Sequence, residues 1–173
     1  GLPNQGIAMD QALGTEGVKF DARAFHWIGS PVEDNNVFWG WHTNPVKSIE
    51  DAKTRELAVG ATGPGSPTTF YPRIMNELIG TRFKVVSGYP SSGPAMLAME
   101  RGEVDGTGTS WAVIKAQHQD WLRDKKITII LQDLPERDPE LADVPALLEF
   151  AKTDEDKQLL TLYASGGAIG RAY

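Results

Sequence analysis

Cysteine is absent from the 173 residues, which excludes disulfides and thiolate metal sites and leaves cytosol and periplasm equally open as compartments. Clustered cations are almost absent as well. Lys125 and Lys126 stand together with Arg123 nearby, and the formal charge is −6 with a pI near 5.1. A nucleic-acid surface needs grouped Lys and Arg against the phosphates, so that class of partner is excluded. Long apolar runs are missing. Residues 127–131 are among the longest, far short of the ~18 residues of a membrane span, so the chain is not membrane-embedded, and no signal peptide opens it. The chain begins Gly1-Leu2-Pro3, without an initiator methionine, and ends Gly170-Arg171-Ala172-Tyr173; these ends read as a processed start and a truncated C-terminus.

Common catalytic motifs are also missing. There is no phosphate-binding Gly-x-x-x-x-Gly-Lys-[Ser/Thr] loop and no Gly-x-Ser-x-Gly elbow at a strand-helix junction. Ser66 has no neighbouring general base in sequence. His26, His42 and His118 are widely spaced among aromatic or amphipathic neighbours and read as structural or exposed. The acidic residues of 136–143 lack a ligand-cage pattern and read as solvated charge. No metal and no cofactor is expected.

What remains is a globular chain, 40% apolar and 23% charged, large enough for one core. Its elements alternate. Residues 4–13 read as a helix stopped at Gly14, residues 25–32 and 37–42 as strands with aromatic and β-branched bias, and Asn44-Pro45 as a break. Ser48 with Asp51 starts a short helix to residue 55. Strand 57–61, helix 69–79, strand 83–87, helix 93–101, strand 104–107, a helix capped by Ser110, strand 127–132, a polar surface loop over 133–143 and helices over 144–151 and 154–164 follow. Repeated β-loop-α units of this length predict an α/β three-layer sandwich around a mostly parallel sheet. Trp27, Trp39, Trp41, Met96 and Met99 read as core.

The most informative stretch is LAVGATGPGSPTTFYPRIMNELIG, residues 57–80, a buried strand running through a Gly/Ser/Thr loop into a helix. Ser66 or Thr68 can cap that helix, Pro67 suits its first turn, and Gly80 supplies the stop. Thr62, Gly63, Gly65, Ser66, Thr68 and Thr69 form the loop and first turn. Glycine there lets the backbone approach a ligand, and the unpartnered N–H groups of a helix start attract an anion without a basic side chain. The plain alternative is an ordinary βα turn whose glycines serve geometry alone.

A second such loop, Pro90-Ser91-Ser92-Gly93-Pro94, follows strand 83–87, and a third, residues 106–111 with Thr109, Ser110 and Trp111, is expected at the same sheet edge. Hydroxyls at Thr62, Ser66, Thr68, Thr69, Ser91, Ser92, Thr109 and Ser110 suit an oxygen-rich small molecule. Trp111 is placed to lie against a bound solute.

Trp27-Ile28-Gly29-Ser30, the block 57–69 and above all FKVVSGYPSSGPAMLAMERGEVDG resemble the substrate-binding proteins of tripartite tricarboxylate transporters, the Bug-type receptors, which have the type II periplasmic-binding-protein fold. The likeness runs from about Phe20 to Tyr173. It implies two lobes closing on a carboxylate-bearing solute, with this chain mainly the second lobe: residues 1–36 border the first lobe, residues 37–173 form the second, and 37–42 and 168–173 are hinge crossings. The 62–69 loop then matches the carboxylate loop, and Tyr89, Ser91, Ser92 and Gly93 the loop beside it. Thr69-Phe70 stands where many members have His-Leu, and Gly88-Tyr89-Pro90-Ser91 replaces the usual Pro-Tyr-x-Gly order. The resemblance implies a periplasmic location, a small organic anion as ligand, membrane transporter subunits as partners and no covalent chemistry. A ligand-sensing regulatory domain of the same fold is the alternative, and a small-molecule enzyme a third reading.

Overall fold

A computed structural model describes Gln11, Gly14, residues 17–26 and residues 35–169, with side chains of the last helix described as far as Ala164. Five strands, β1 (Asn36–Trp41), β2 (Leu57–Ala61), β3 (Phe83–Ser87), β4 (Gly106–Ser110) and β5 (Ile127–Gln132), form one sheet in the order β3-β2-β4-β1-β5. β2 runs parallel to β3 and β4, while β1 is antiparallel to both β4 and β5. Four strands therefore point one way and β1 the other, which makes the sheet mostly parallel as expected. This topology brings the ends of β2, β3, β4 and β5 and the start of β1 to a single edge.

Helices cover both faces. α1 (Ile49–Thr54), α2 (Pro67–Ile79) and α6 (Asp154–Ile169) bury Ile49, Tyr71, Met75, Leu160 and Ala164 with Phe38, Leu57, Val59 and Ile130. α3 (Ser92–Glu100), α4 (Trp111–Gln117) and α5 (Gln119–Arg123) bury Met96, Met99, Trp111, Ile114 and Trp121 with Val37, Trp39 and Ile127. Alternate residues of β1 divide between the two cores, as a pleated strand requires, so Phe38 faces one helical layer and Val37 and Trp39 the other. Each such large side chain, once fully buried, contributes roughly 1.5–3 kcal/mol of hydrophobic stabilisation.

The helix boundaries follow local chemistry where the chemistry is strong. Pro67 occupies the first position of α2, and Gly80 closes it at φ 73°, a left-handed conformation that glycine adopts without penalty. Ser48 Oγ accepts the Asp51 N–H at 3.1 Å and caps α1.

Several expectations need correction. Residues 106–110 are not a loop but the strand β4, in the middle of the sheet. The expected helix over 144–151 is a short 3-10 turn, Leu147–Phe150, preceded by Ala146 bridging Gln132. The 133–143 segment is not wholly superficial, because Asp133 and Leu141 are buried. α6 continues past Gly166 and Gly167 to Ile169. Phe25 and His26 are not in a strand, and the rest of the expected 25–32 strand, with Trp27, lies outside the described residues. So do most of the 4–13 helix and residues 170–173 of the expected second crossing. Gly14 is described, at φ 64° with its N–H on Gln11 O.

Candidate functional site

The 62–66 loop is built as a hydroxyl-lined turn. Ser66 N–H donates to Gly63 O at 3.1 Å, and Thr69 Oγ1 donates to the same carbonyl at 2.8 Å. Thr62 N–H donates to Thr68 Oγ1 at 3.2 Å. Ser66 is the N-cap residue of α2, yet its side chain does not cap: Oγ instead meets the hydroxyls of Thr68 at 2.9 Å and Thr69 at 3.2 Å. The capping role expected of Ser66 or Thr68 is thus replaced by a network that folds the hydroxyls together over the first turn. Thr69 N–H turns back to Ser66 O at 2.9 Å, so the amides of Thr62, Ser66 and Thr69 are already occupied.

Three others are not. Among the described residues no acceptor meets the N–H groups of Gly63, Gly65 or Thr68, and Gly63 and Gly65 are exposed. The neighbouring β3–α3 loop repeats the arrangement: Gly88 turns at φ 116°, Tyr89 N–H donates to Ala61 O at 3.3 Å, and Ser91 starts α3 without a side-chain cap. The N–H groups of Ser91, Ser92 and Gly93 have no acceptor among the described residues. The Tyr89 bond ties this loop to the end of β2, and the Tyr89 ring packs against the Gly60 position, 3.4 Å from where a β-carbon would stand. No residue of 62–70 or 88–93 is charged. Two adjacent strand ends therefore offer free amides and hydroxyls in a neutral setting, which suits an anion or an oxygen-rich solute.

The third group behaves differently. Thr109 and Ser110 belong to β4 and pair with Val37 and Asn36, and Trp111 N–H donates to Asn35 O at 2.7 Å. Trp111 is buried in the core, with its indole N–H on Glu140 Oε2 at 2.8 Å. Glu140 also accepts from Lys115, and the ammonium first and the indole second hold its carboxyl below the usual range. Ser66 Oγ meets only hydroxyls, not a histidine or carboxylate that would activate it as a nucleophile. His118 stacks on Trp121 at 4.0 Å, and His42 lies beside Trp41 at 5.1 Å. Among the described residues no three His, Asp or Glu side chains gather as metal ligands, and no helix is long and apolar enough to cross a membrane.

A buried polar cluster on the same edge escaped the sequence. Asp133 Oδ1 and Oδ2 accept the Asn36 backbone N–H and side-chain Nδ2, each at 2.7 Å. Asn35 Nδ2 donates to Gln132 Oε1 at 3.2 Å and Asp138 Oδ2 at 3.3 Å, and Gln132 Nε2 donates to the Val144 carbonyl at 2.7 Å. The signal available was a pair of polar residues at one end of each of two apolar strands, Asn35-Asn36 at the start of β1 and Gln132-Asp133 at the end of β5.

No protein-family model matches the sequence, and no curated protein does. Solved structures do match. A TctC solute-binding protein from Polaromonas superposes with a TM-score of 0.65 at 17% identity, covering 98% of this chain and 64% of its own. A periplasmic transporter gives 0.66 at 16% identity, covering 94% and 61%. MatC from Rhodopseudomonas palustris, solved with bound malate, gives 0.55 at 19% identity, covering 95% and 60%. The chain has the fold of a periplasmic solute-binding protein. More narrowly, it has the fold of TctC and Bug-type solute-binding proteins, and spans about three fifths of the length of the structures it matches.

Proposed function

We propose that this chain is the greater part of an extracytoplasmic solute-binding protein that captures a small carboxylate-bearing solute for membrane transporter subunits, without covalent chemistry. The observation that carries the reading is the set of free amides at Gly63, Gly65 and Thr68, beside those of Ser91, Ser92 and Gly93, at two adjacent strand ends with no charged side chain in either loop. These amides grip one carboxylate, the hydroxyls of Thr62, Ser66, Thr68 and Tyr89 with ordered water complete the shell while the buried Thr69 holds the turn, and closure of a facing lobe buries the complex. Thr109, Ser110 and Trp111 support this edge from within rather than touching the solute. Residues 37–173 act as the second lobe, entered through β1, whose first residue lies on the site's own edge. The solute bound by MatC, malate, makes a dicarboxylate the first ligand to test.

The test is an NMR titration of the 173-residue chain with malate and succinate. Weak, saturable shifts confined to the amides of Gly63, Gly65, Thr68, Ser92 and Gly93 are expected, because one lobe supplies only half the contacts. Shifts confined to other segments, or none up to solubility, overturn the reading.

A further inference from the structure

We infer that Tyr71 is a positioning residue that couples the ligand loop at the start of α2 to the strand entering the lobe at Asn36. The inference rests on the reading of residues 62–69 as that loop. Tyr71 lies two residues beyond Thr69 and is 1% exposed. Its hydroxyl donates to the Tyr163 carbonyl of α6 at 3.1 Å, and its ring meets Phe38 of β1 edge-on, with centroids 5.6 Å apart. Burial first, then the negative charge of Asp133 and its bond to the hydroxyl, push the Tyr71 phenol well above its ordinary range.

Asp133 in turn grips Asn36 through the two 2.7 Å bonds, and the Asp133 N–H returns to Asn36 O at 3.0 Å. Tyr71 thus meets Phe70 in the first turn of α2, Phe38 of β1 and Tyr163 of α6. Pro72 sharpens the dependence. It has no N–H for the Thr68 carbonyl, so the first turn is tied to the rest of α2 by one bond fewer and leans on the contacts of Tyr71. A ligand that shifts this turn displaces the Tyr71 ring against Phe38, two residues from the Asn36 clamp.

Amide hydrogen exchange of the 173-residue chain, measured without ligand, tests the coupling. Tyr71→Phe keeps the ring and removes the hydroxyl. Protection is expected to fall roughly tenfold at Ser66, Thr69 and Phe70 and together at Asn36 and Asp133, while Phe83 on the far strand is unchanged. Asn36→Ala, which removes the side-chain bond of the clamp and leaves its two backbone bonds, is expected to loosen Ser66 and Thr69 as well. A fall limited to one end, or a uniform fall that includes Phe83, overturns the proposal. A parallel malate titration of the wild-type chain separates the two ideas. Absence of malate binding with coordinated exchange removes the receptor reading and leaves the coupling, whereas binding with uncoordinated exchange does the reverse.

Discussion

Gly106 of β4 lies beneath the Trp39 carbonyl of β1, so close that a β-carbon on Gly106 would overlap that oxygen. Two residues on, a β-carbon at Gly108 would stand 2.7 Å from the Phe38 ring. The Gly-Thr-Gly sequence of β4 therefore answers to its antiparallel neighbour, whose backbone at Trp39 and ring at Phe38 fill the space beside the two glycines. Gly106→Ala should cost at least about 2–3 kcal/mol, since a backbone carbonyl cannot swing aside as a flexible side chain does. Gly63→Ala, where nothing lies within 4 Å of the new methyl, should be neutral or stabilise by about 0.4–1 kcal/mol through the unfolded chain. Urea midpoints at unchanged slope check both.

Asn76 anchors an edge strand. Its Oδ1 accepts the Phe83 N–H at 2.9 Å and the Thr81 hydroxyl at 2.8 Å, while its Nδ2 donates to Phe83 O at 2.8 Å. Asn76→Ala leaves both Phe83 backbone groups unmet and should cost about 1–3 kcal/mol. Exchange of the Phe83 amide should rise more than that of Val59 on the neighbouring strand.

The hydroxyl network of the loop predicts a ranking. Thr69, 1% exposed, gives the Gly63 carbonyl its shorter bond beside that of the Ser66 N–H, so Thr69→Val should destabilise by about 1–1.5 kcal/mol. Ser66→Ala leaves that bond and the Thr62–Thr68 bond intact and should cost only about 0.5–1 kcal/mol. Equal losses measured by thermal unfolding would show that Ser66 caps α2 after all.

Glu149 supplies a pH dependence. Both Arg137 guanidinium bonds, 2.6 and 2.7 Å, and the Ala146 N–H hold its carboxyl down, from the usual 4.5 to about 2. A folded-state value below the unfolded one means stability that is complete above about pH 4.5 and lost as the pH falls toward 2. With the Arg137 and Glu149 side chains 43% and 40% exposed, solvent screening limits the gain to about 1 kcal/mol or less. Glu149→Gln should lower the melting temperature at pH 7, and its difference from wild type should shrink between pH 4.5 and pH 2. A constant difference over that window would contradict the assignment.

The sequence by itself determined what depends on neighbours along the chain. The alternation of strands and helices, Pro67 and Gly80 at the ends of α2, the Ser48 cap, and the two strand-loop-helix turns at 62–66 and 88–91 were legible because propensity, capping and left-handed φ act within a few residues. The neutral character of the candidate site was legible too, since it needs only a count of charges. Tertiary structure alone decided the rest. Residues 106–110 carry loop-forming glycines, yet pair as a central strand against β1, where the Trp39 carbonyl and the Phe38 ring take the space a β-carbon would need at Gly106 and Gly108. Asp133 and Asn36, 97 residues apart, meet only when β5 is laid beside β1. Packing and long-range hydrogen bonds are set by what the fold brings together in space, and no local pattern carries that information.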